Sequence, residues 1–128
     1  MNCIVVTPET TALDEKADFV AVPLFDGEIG IAVGHSPMIG RLGYGELRIK
    51  SGSSVSRYYV DGGFVQVSND VVSVLTNRAI PASEVDAEAA QSQLEEARTR
   101  PANTPELRKI RDRLESQARG QLRVARSK

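Results

Sequence analysis

The sequence predicts an all-β sandwich over residues 1–82 followed by a C-terminal antiparallel two-helix hairpin over residues 83–128, a β-then-α architecture. Three observations carry that prediction. From residue 2 to about 80, apolar residues follow a period of two, broken at short intervals by glycine and by Ser/Asn/Asp clusters, which is the rhythm of an antiparallel all-β domain. At Pro81-Ala82-Ser83 the period changes to that of helices. A length of 128 residues accommodates one ordinary domain and an appendage, with no room for two full cores.

The elements follow in order. Cys3-Ile4-Val5-Val6 is an apolar strand, ended by Thr7-Pro8-Glu9 because proline cannot donate to a ladder and restricts its predecessor. Ile29, Ile31 and Val33 alternate with Glu28, Gly30 and Ala32, and Leu47 and Ile49 with Glu46, Arg48 and Lys50, so each strand has one buried and one wetter face. Two sheets stacked on the buried faces make the sandwich. Residues 57–60, 64–67 and 71–76 are further strands. They join through Asp61-Gly62-Gly63, a turn or a bulge, and through Ser68-Asn69-Asp70, where glycine and asparagine accept positive φ.

Ser83 followed three residues later by Asp86 resembles a capping box, and an Ala- and Glu-rich run to about residue 98 is the first helix. Residues 100–105 interrupt it. Thr104 is a good N-cap, and Pro105 suits the first position of the second helix. In that helix Leu107, Ile110, Leu114, Ala118, Leu122 and Ala125 form one stripe, facing Val85, Ala90, Leu94 and Ala97 of the first. So few large apolar side chains do not offset the ordering of about forty residues. The hairpin therefore needs an external surface, the sandwich or a partner; it reads equally as an element that switches between dockings and as a passive cap over one edge of the sandwich.

Net charge is −1 and there is no Trp, which excludes a uniformly basic nucleic-acid composition and an acidic disordered tail. Cys3 is the only cysteine, so no intramolecular disulfide forms, and a buried role in a reducing compartment is expected. No targeting segment is visible at the N-terminus, and no apolar run reaches the roughly 18 residues that span a bilayer, so any membrane link is expected to be indirect, through a partner. Charge is concentrated at the C-terminus: from residue 105 on, eight basic residues (Arg108, Lys109, Arg111, Arg113, Arg119, Arg123, Arg126, Lys128) face three acidic ones, a net of plus five. Residues 84–104 carry a net of minus three. Interhelix pairs with Glu88, Glu95 and Glu96 absorb part of this in the plainest reading; an acidic partner is the functional one.

His35, the only histidine, lies beside Ser36 and near Asp26 and Glu28 in sequence. One histidine and two carboxylates make a poor catalytic or metal set, since a serine nucleophile needs an oriented base and zinc three or four ligands. A hydrolase built on His35 therefore ranks last. Asp26-Gly27-Glu28 reads as an ordinary hairpin turn.

Four segments resemble one family. The acidic-glycine turn, strand and Gly34-His35-Ser36-Pro37 corner, the strand Gly45-Glu46-Leu47-Arg48-Ile49, the run Gly62-Gly63-Phe64-Val65-Gln66-Val67 and the strand over residues 71–75 match, in order and spacing, the epsilon subunit of F-type ATP synthases. The resemblance covers nearly the whole chain. It implies a non-catalytic central-stalk subunit of a proton-translocating synthase, on the cytoplasmic face of the bacterial inner membrane, coupling the gamma subunit to the c-ring. By the same resemblance Asp26, Gly27 and Glu28 touch the c-ring, and His35, Ser36, Pro37 and Met38 meet gamma. The second helix, through Arg108, Lys109, Arg111, Arg113, Arg119 and Arg123, reaches toward an acidic segment of the beta subunits and restrains ATP hydrolysis. Some members bind ATP through a motif matched here by Val85-Asp86-Ala87-Glu88-Ala89-Ala90, but Ala89 stands at the arginine position, so no bound cofactor and weak or absent ATP binding are expected. The competing class is a free-standing β-sandwich module whose basic helix docks on an acidic protein or on nucleic acid; no aromatic platform or base-reading motif supports the nucleic acid.

Overall fold

The computed structural model describes residues 1–126; Lys128, counted above with the basic residues, lies outside the described residues. Among the described residues there are eight strands: β1 (Asn2–Val6), β2 (Thr11–Lys16), β3 (Phe19–Leu24), β4 (Gly27–Ala32), β5 (Met38–Ser51), β6 (Ser54–Ser68), β7 (Val71–Leu75) and β8 (Ala79–Pro81). A 3-10 turn at Ala82–Glu84 leads into α1 (Ala87–Thr99) and α2 (Pro105–Arg126).

The strands form one hydrogen-bonded ladder in the order β2-β1-β7-β6-β5-β3-β4, with β8 also on β6. The expected two stacked sheets are thus a single sheet folded over. Cys3, Val5, Val72 and Val74 from one end share a buried cluster with Val20, Val22 and Ile31 from the other, and Leu47, Ile49, Val60 and Val65 fill the middle. The long strands β5 and β6 pair along their full length and run through both layers. The antiparallel expectation has one exception, because β1 and β7 pair in parallel.

Asp61-Gly62-Gly63 is neither a turn nor a bulge. The β5–β6 register is the same on either side of it, with Leu42 opposite Gly63 and Tyr44 opposite Asp61. Both glycines have positive φ, and they bend the strand where its other neighbour breaks between β7 and β8. A Cβ on Gly63 would lie 1.9 Å from the Leu75 carbonyl oxygen, so only glycine fits. Asn69 and Asp70, at φ of 51° and 59°, make the two-residue β6–β7 hairpin turn.

Strands β2 and β3 were not apparent from alternation. Pro23 lies within β3, and the β3–β5 register shifts between Ala21 and Leu24, where proline offers no N–H to the ladder. Val33, expected on a buried face, is exposed, because β4 ends at Ala32 and the chain turns away before reaching it.

The helices start where side chains cap them, though one cap differs from expectation. Asp86, not Ser83, caps α1, accepting from the backbone N–H of Glu88 (2.9 Å) and Ala89 (3.3 Å). Ser83 lies in the preceding 3-10 turn. Thr104 caps α2 as expected, its hydroxyl accepting from the Leu107 N–H at 3.2 Å, with Pro105 opening the helix.

The interhelix seam consists of Ala90, Leu94, Ala118 and Leu122. Ile110, assigned to the seam, is exposed. Val85 precedes α1 and packs instead with Tyr59, Ala82 and Val124. The external surface that the hairpin requires is the sandwich itself, and α2 lies on β5 and β6. No helix among the described residues is long and apolar enough to cross a membrane.

Candidate contact surfaces

The outer face of the folded sheet follows from register. Arg41, Phe64, Leu75 and Val6 stand side by side on β5, β6, β7 and β1. Two residues along, Ile39, Gln66, Ser73 and Ile4 make a second row on the same face. Phe25 joins at the edge, its N–H donating to the Arg41 carbonyl at 3.0 Å, and the Arg41 guanidinium lies 5.8 Å from the centre of its ring. Phe25, Ile39, Phe64 and Leu75 are 48–75 % exposed, a contiguous apolar patch that alternation alone does not reveal, because both faces of these strands carry apolar residues.

The Gly34-to-Pro37 corner stands at the rim of this face. The Gly34 N–H donates to Asp70 Oδ1 (3.0 Å), the His35 N–H to the Ala32 carbonyl (3.2 Å), and His35 Nδ1 lies 2.7 Å from the Ser36 carbonyl oxygen. The corner is thereby tied to the β6–β7 turn. Ser36 and Pro37 are exposed, and half-buried Met38 packs on the core.

Asp26 and Gly27 sit at the tip of the β3–β4 hairpin, both exposed. The whole of β4 separates them from His35, roughly 20 Å at about 3.3 Å per residue, so the histidine and the two carboxylates do not converge. Glu28 is already engaged: Arg48 donates to both its oxygens, at 2.8 and 3.3 Å. Arg48 also reaches Glu46 (3.4 Å), and Glu46 pairs with Arg57.

On the helix, Arg108, Lys109, Arg113, Arg119 and Arg123 are exposed and Arg111 is half-buried. Their ion pairs lie within α2: Arg111 with Asp112 (3.3 Å) and Glu115 (3.8 Å), and Arg119 with Glu115 (3.3 Å). The interhelix pairs expected with Glu88 and Glu95 do not form among these contacts. Glu96 pairs with Arg100, at 3.9 Å, near the end of its own helix.

A buried polar cluster, missed in the sequence, joins the two halves. Asp61, almost fully buried, accepts from Tyr59 Oη (2.9 Å), from Gln117 Nε2 of α2 (3.0 Å) and from Arg78 Nε (3.3 Å). Burial, with the Asp61 carboxylate beside it, pushes the Tyr59 hydroxyl well above the usual phenol range. Asp61 next to two glycines reads as a turn signal, and its partners come from elements distant in sequence, so only the fold reveals it.

A single sheet folded into a sandwich, with a two-helix hairpin docked on it through α2, defines the class: a β-sandwich body carrying a helical arm. The comparisons agree. Residues 1–82 match the family model described as the β-sandwich domain of the ATP synthase delta/epsilon chain. The ATP synthase epsilon chain of Rhodopirellula baltica is 56 % identical over 126 residues, 98 % of each chain, and that of Rubrobacter xylanophilus 36 % identical over 81 % of this chain and 71 % of its own. The fold is shared with a chain of the Euglena gracilis mitochondrial ATP synthase OSCP/F1/c-ring structure, at TM-score 0.83 and 24 % identity, covering 92 % of this chain and 76 % of that one. A chain of the Tetrahymena thermophila mitochondrial ATP synthase central stalk/c-ring structure gives TM-score 0.78 and 16 % identity, over 98 % and 96 %. The chain belongs to the family of ATP synthase epsilon chains and is a non-catalytic subunit.

Proposed function

We propose that this chain sits on the central stalk of a proton-translocating F-type ATP synthase, joining the gamma subunit to the c-ring, with residues 1–82 as the coupling body and 83–128 as a regulatory arm. The observation that carries the reading is the exposed row of Phe25, Ile39, Phe64 and Leu75, continuous with the corner at His35, Ser36, Pro37 and Met38. Four exposed large apolar side chains sharing one face suit a protein partner, and gamma is its occupant. The tip at Asp26 and Gly27 meets the c-ring, and Glu28, held by Arg48, fixes the shape of that tip. The exposed cations of α2 meet acidic segments of the beta subunits and restrain hydrolysis. The chain works at the cytoplasmic face of the bacterial inner membrane and touches the bilayer only through the ring. Support comes from family membership and from the shared fold with a chain of a solved central stalk/c-ring assembly.

Phe64→Asp tests this. The side chain is exposed, so the fold survives, while a charge at the centre of the patch blocks a dry interface. Co-purification with gamma should fall at least about tenfold, the equivalent of 1.4 kcal/mol. Undiminished co-purification of a folded Phe64→Asp chain overturns the assignment of this face.

A further inference from the structure

The hairpin is held to the body by one face of α2. The substantial contacts between helices and strands all come from α2, while α1 packs on α2. Buried Gln121 hydrogen-bonds the Tyr59 side chain, and three further points define the attachment. Gln117 donates to the buried Asp61 carboxylate at 3.0 Å. Val124, fully buried, fills the space between Tyr59, Ala82 and Val85, and Arg57 reaches its carbonyl at 3.4 Å. Between them, the backbone at Gly120 lies directly on β5: a Cβ there would stand 2.6 Å from the Tyr44 carbonyl oxygen, 2.9 Å from its carbon and 3.2 Å from Tyr59 Cε1.

The close neighbour is backbone, anchored in the middle of a long paired strand, so it cannot swing aside as a flexible side chain would. Glycine is also the poorest non-proline residue for a helix interior. Residue 120 therefore favours the docked state and disfavours the free helix. We propose that Gly120 is the catch that sets the balance between docked and released hairpin, with Gln117 and Val124 as the flanking holds. Alanine or another non-proline side chain at 120 strengthens α2 as a helix and at the same time lifts it off Tyr44. The Ala90, Leu94, Ala118 and Leu122 seam lies on a different face, so α1 leaves with α2.

Gly120→Ala in the full chain separates this from general destabilisation, because its two effects have opposite signs. Amide exchange across residues 113–126 and nuclear Overhauser contacts between the Tyr59 ring and the Val124 methyls report docking; helical ellipticity reports the helix. Overpacking of this kind should speed α2 exchange by about ten- to a hundred-fold and abolish the Tyr59–Val124 contacts. Helical ellipticity should not fall, and the core amides of β6 and β7 should keep their protection. Gln117→Ala should move α2 exchange in the same direction by less. Unchanged Tyr59–Val124 contacts in Gly120→Ala overturn the proposal, and so does a parallel loss of protection in β6 and β7, which would make Gly120 a plain stability residue. No partner subunit is involved, so the result is independent of the assignment of the gamma face.

Discussion

At the scale of single residues, burial decides which polar groups act and which stay silent. Cys3 is completely buried, and that burial, with Glu15 and Asp14 nearby, pushes its thiol up to about 12 from 9.0. The folded chain keeps the thiol protonated where the unfolded chain loses the proton, so above about pH 9 the unfolded state binds fewer protons and stability falls as pH rises toward 12. The limiting slope for one such group is about 1.4 kcal/mol per pH unit. Urea midpoints measured from pH 8 to 10.5 should decline, and Cys3→Val should flatten the decline; equal slopes in both chains refute this. Tyr59, shifted in the same direction, supplies a remaining slope at higher pH. His35 and the turn carboxylates stand at opposite ends of β4, a separation that adjacency in sequence conceals.

At the scale of elements, the caps show how local chemistry sets boundaries. Thr104 and Pro105 were recognisable as a helix start because capping is a contact between residues three apart in the chain. Thr104→Ala removes the hydroxyl that accepts from Leu107 and should cost about 1 kcal/mol, read as a lower thermal midpoint with faster exchange confined to the first turn of α2. A change spread evenly through β1–β7 would contradict a local cap. Ser83 misled because Asp86, three residues on, is itself the cap; both residue types signal a start, and the 3-10 turn between them is set by Val85 packing against Tyr59 and Val124. Asp61-Gly62-Gly63 misled in a similar way: glycine marks positive φ without saying whether the chain reverses or bends, and here both long strands continue through the bend.

At the scale of the whole molecule, the body has its own core and the arm borrows its surface. The cluster of Cys3, Val20, Leu47, Val65 and Val74 contains no residue of α1 or α2. Removing residues 86–128 should leave the β body folded, with Tyr59 newly exposed and a lower thermal midpoint. In the reconstituted complex the truncated chain should still assemble, and ATP hydrolysis should rise if α2 restrains it. Unchanged hydrolysis would remove the regulatory role and leave the coupling role standing.

Periodicity of two, a change of period at residue 81, the Thr104-Pro105 start and the cationic composition of α2 were fixed along the chain, because each rests on neighbours a few residues apart. The tertiary structure alone decided that one sheet folds into both layers, that Phe25, Ile39, Phe64 and Leu75 share an open face, and that Gly120 lies against Tyr44. Those outcomes depend on which strands become partners and on where a helix comes to rest, and contacts between residues tens of positions apart leave no period in the sequence to read.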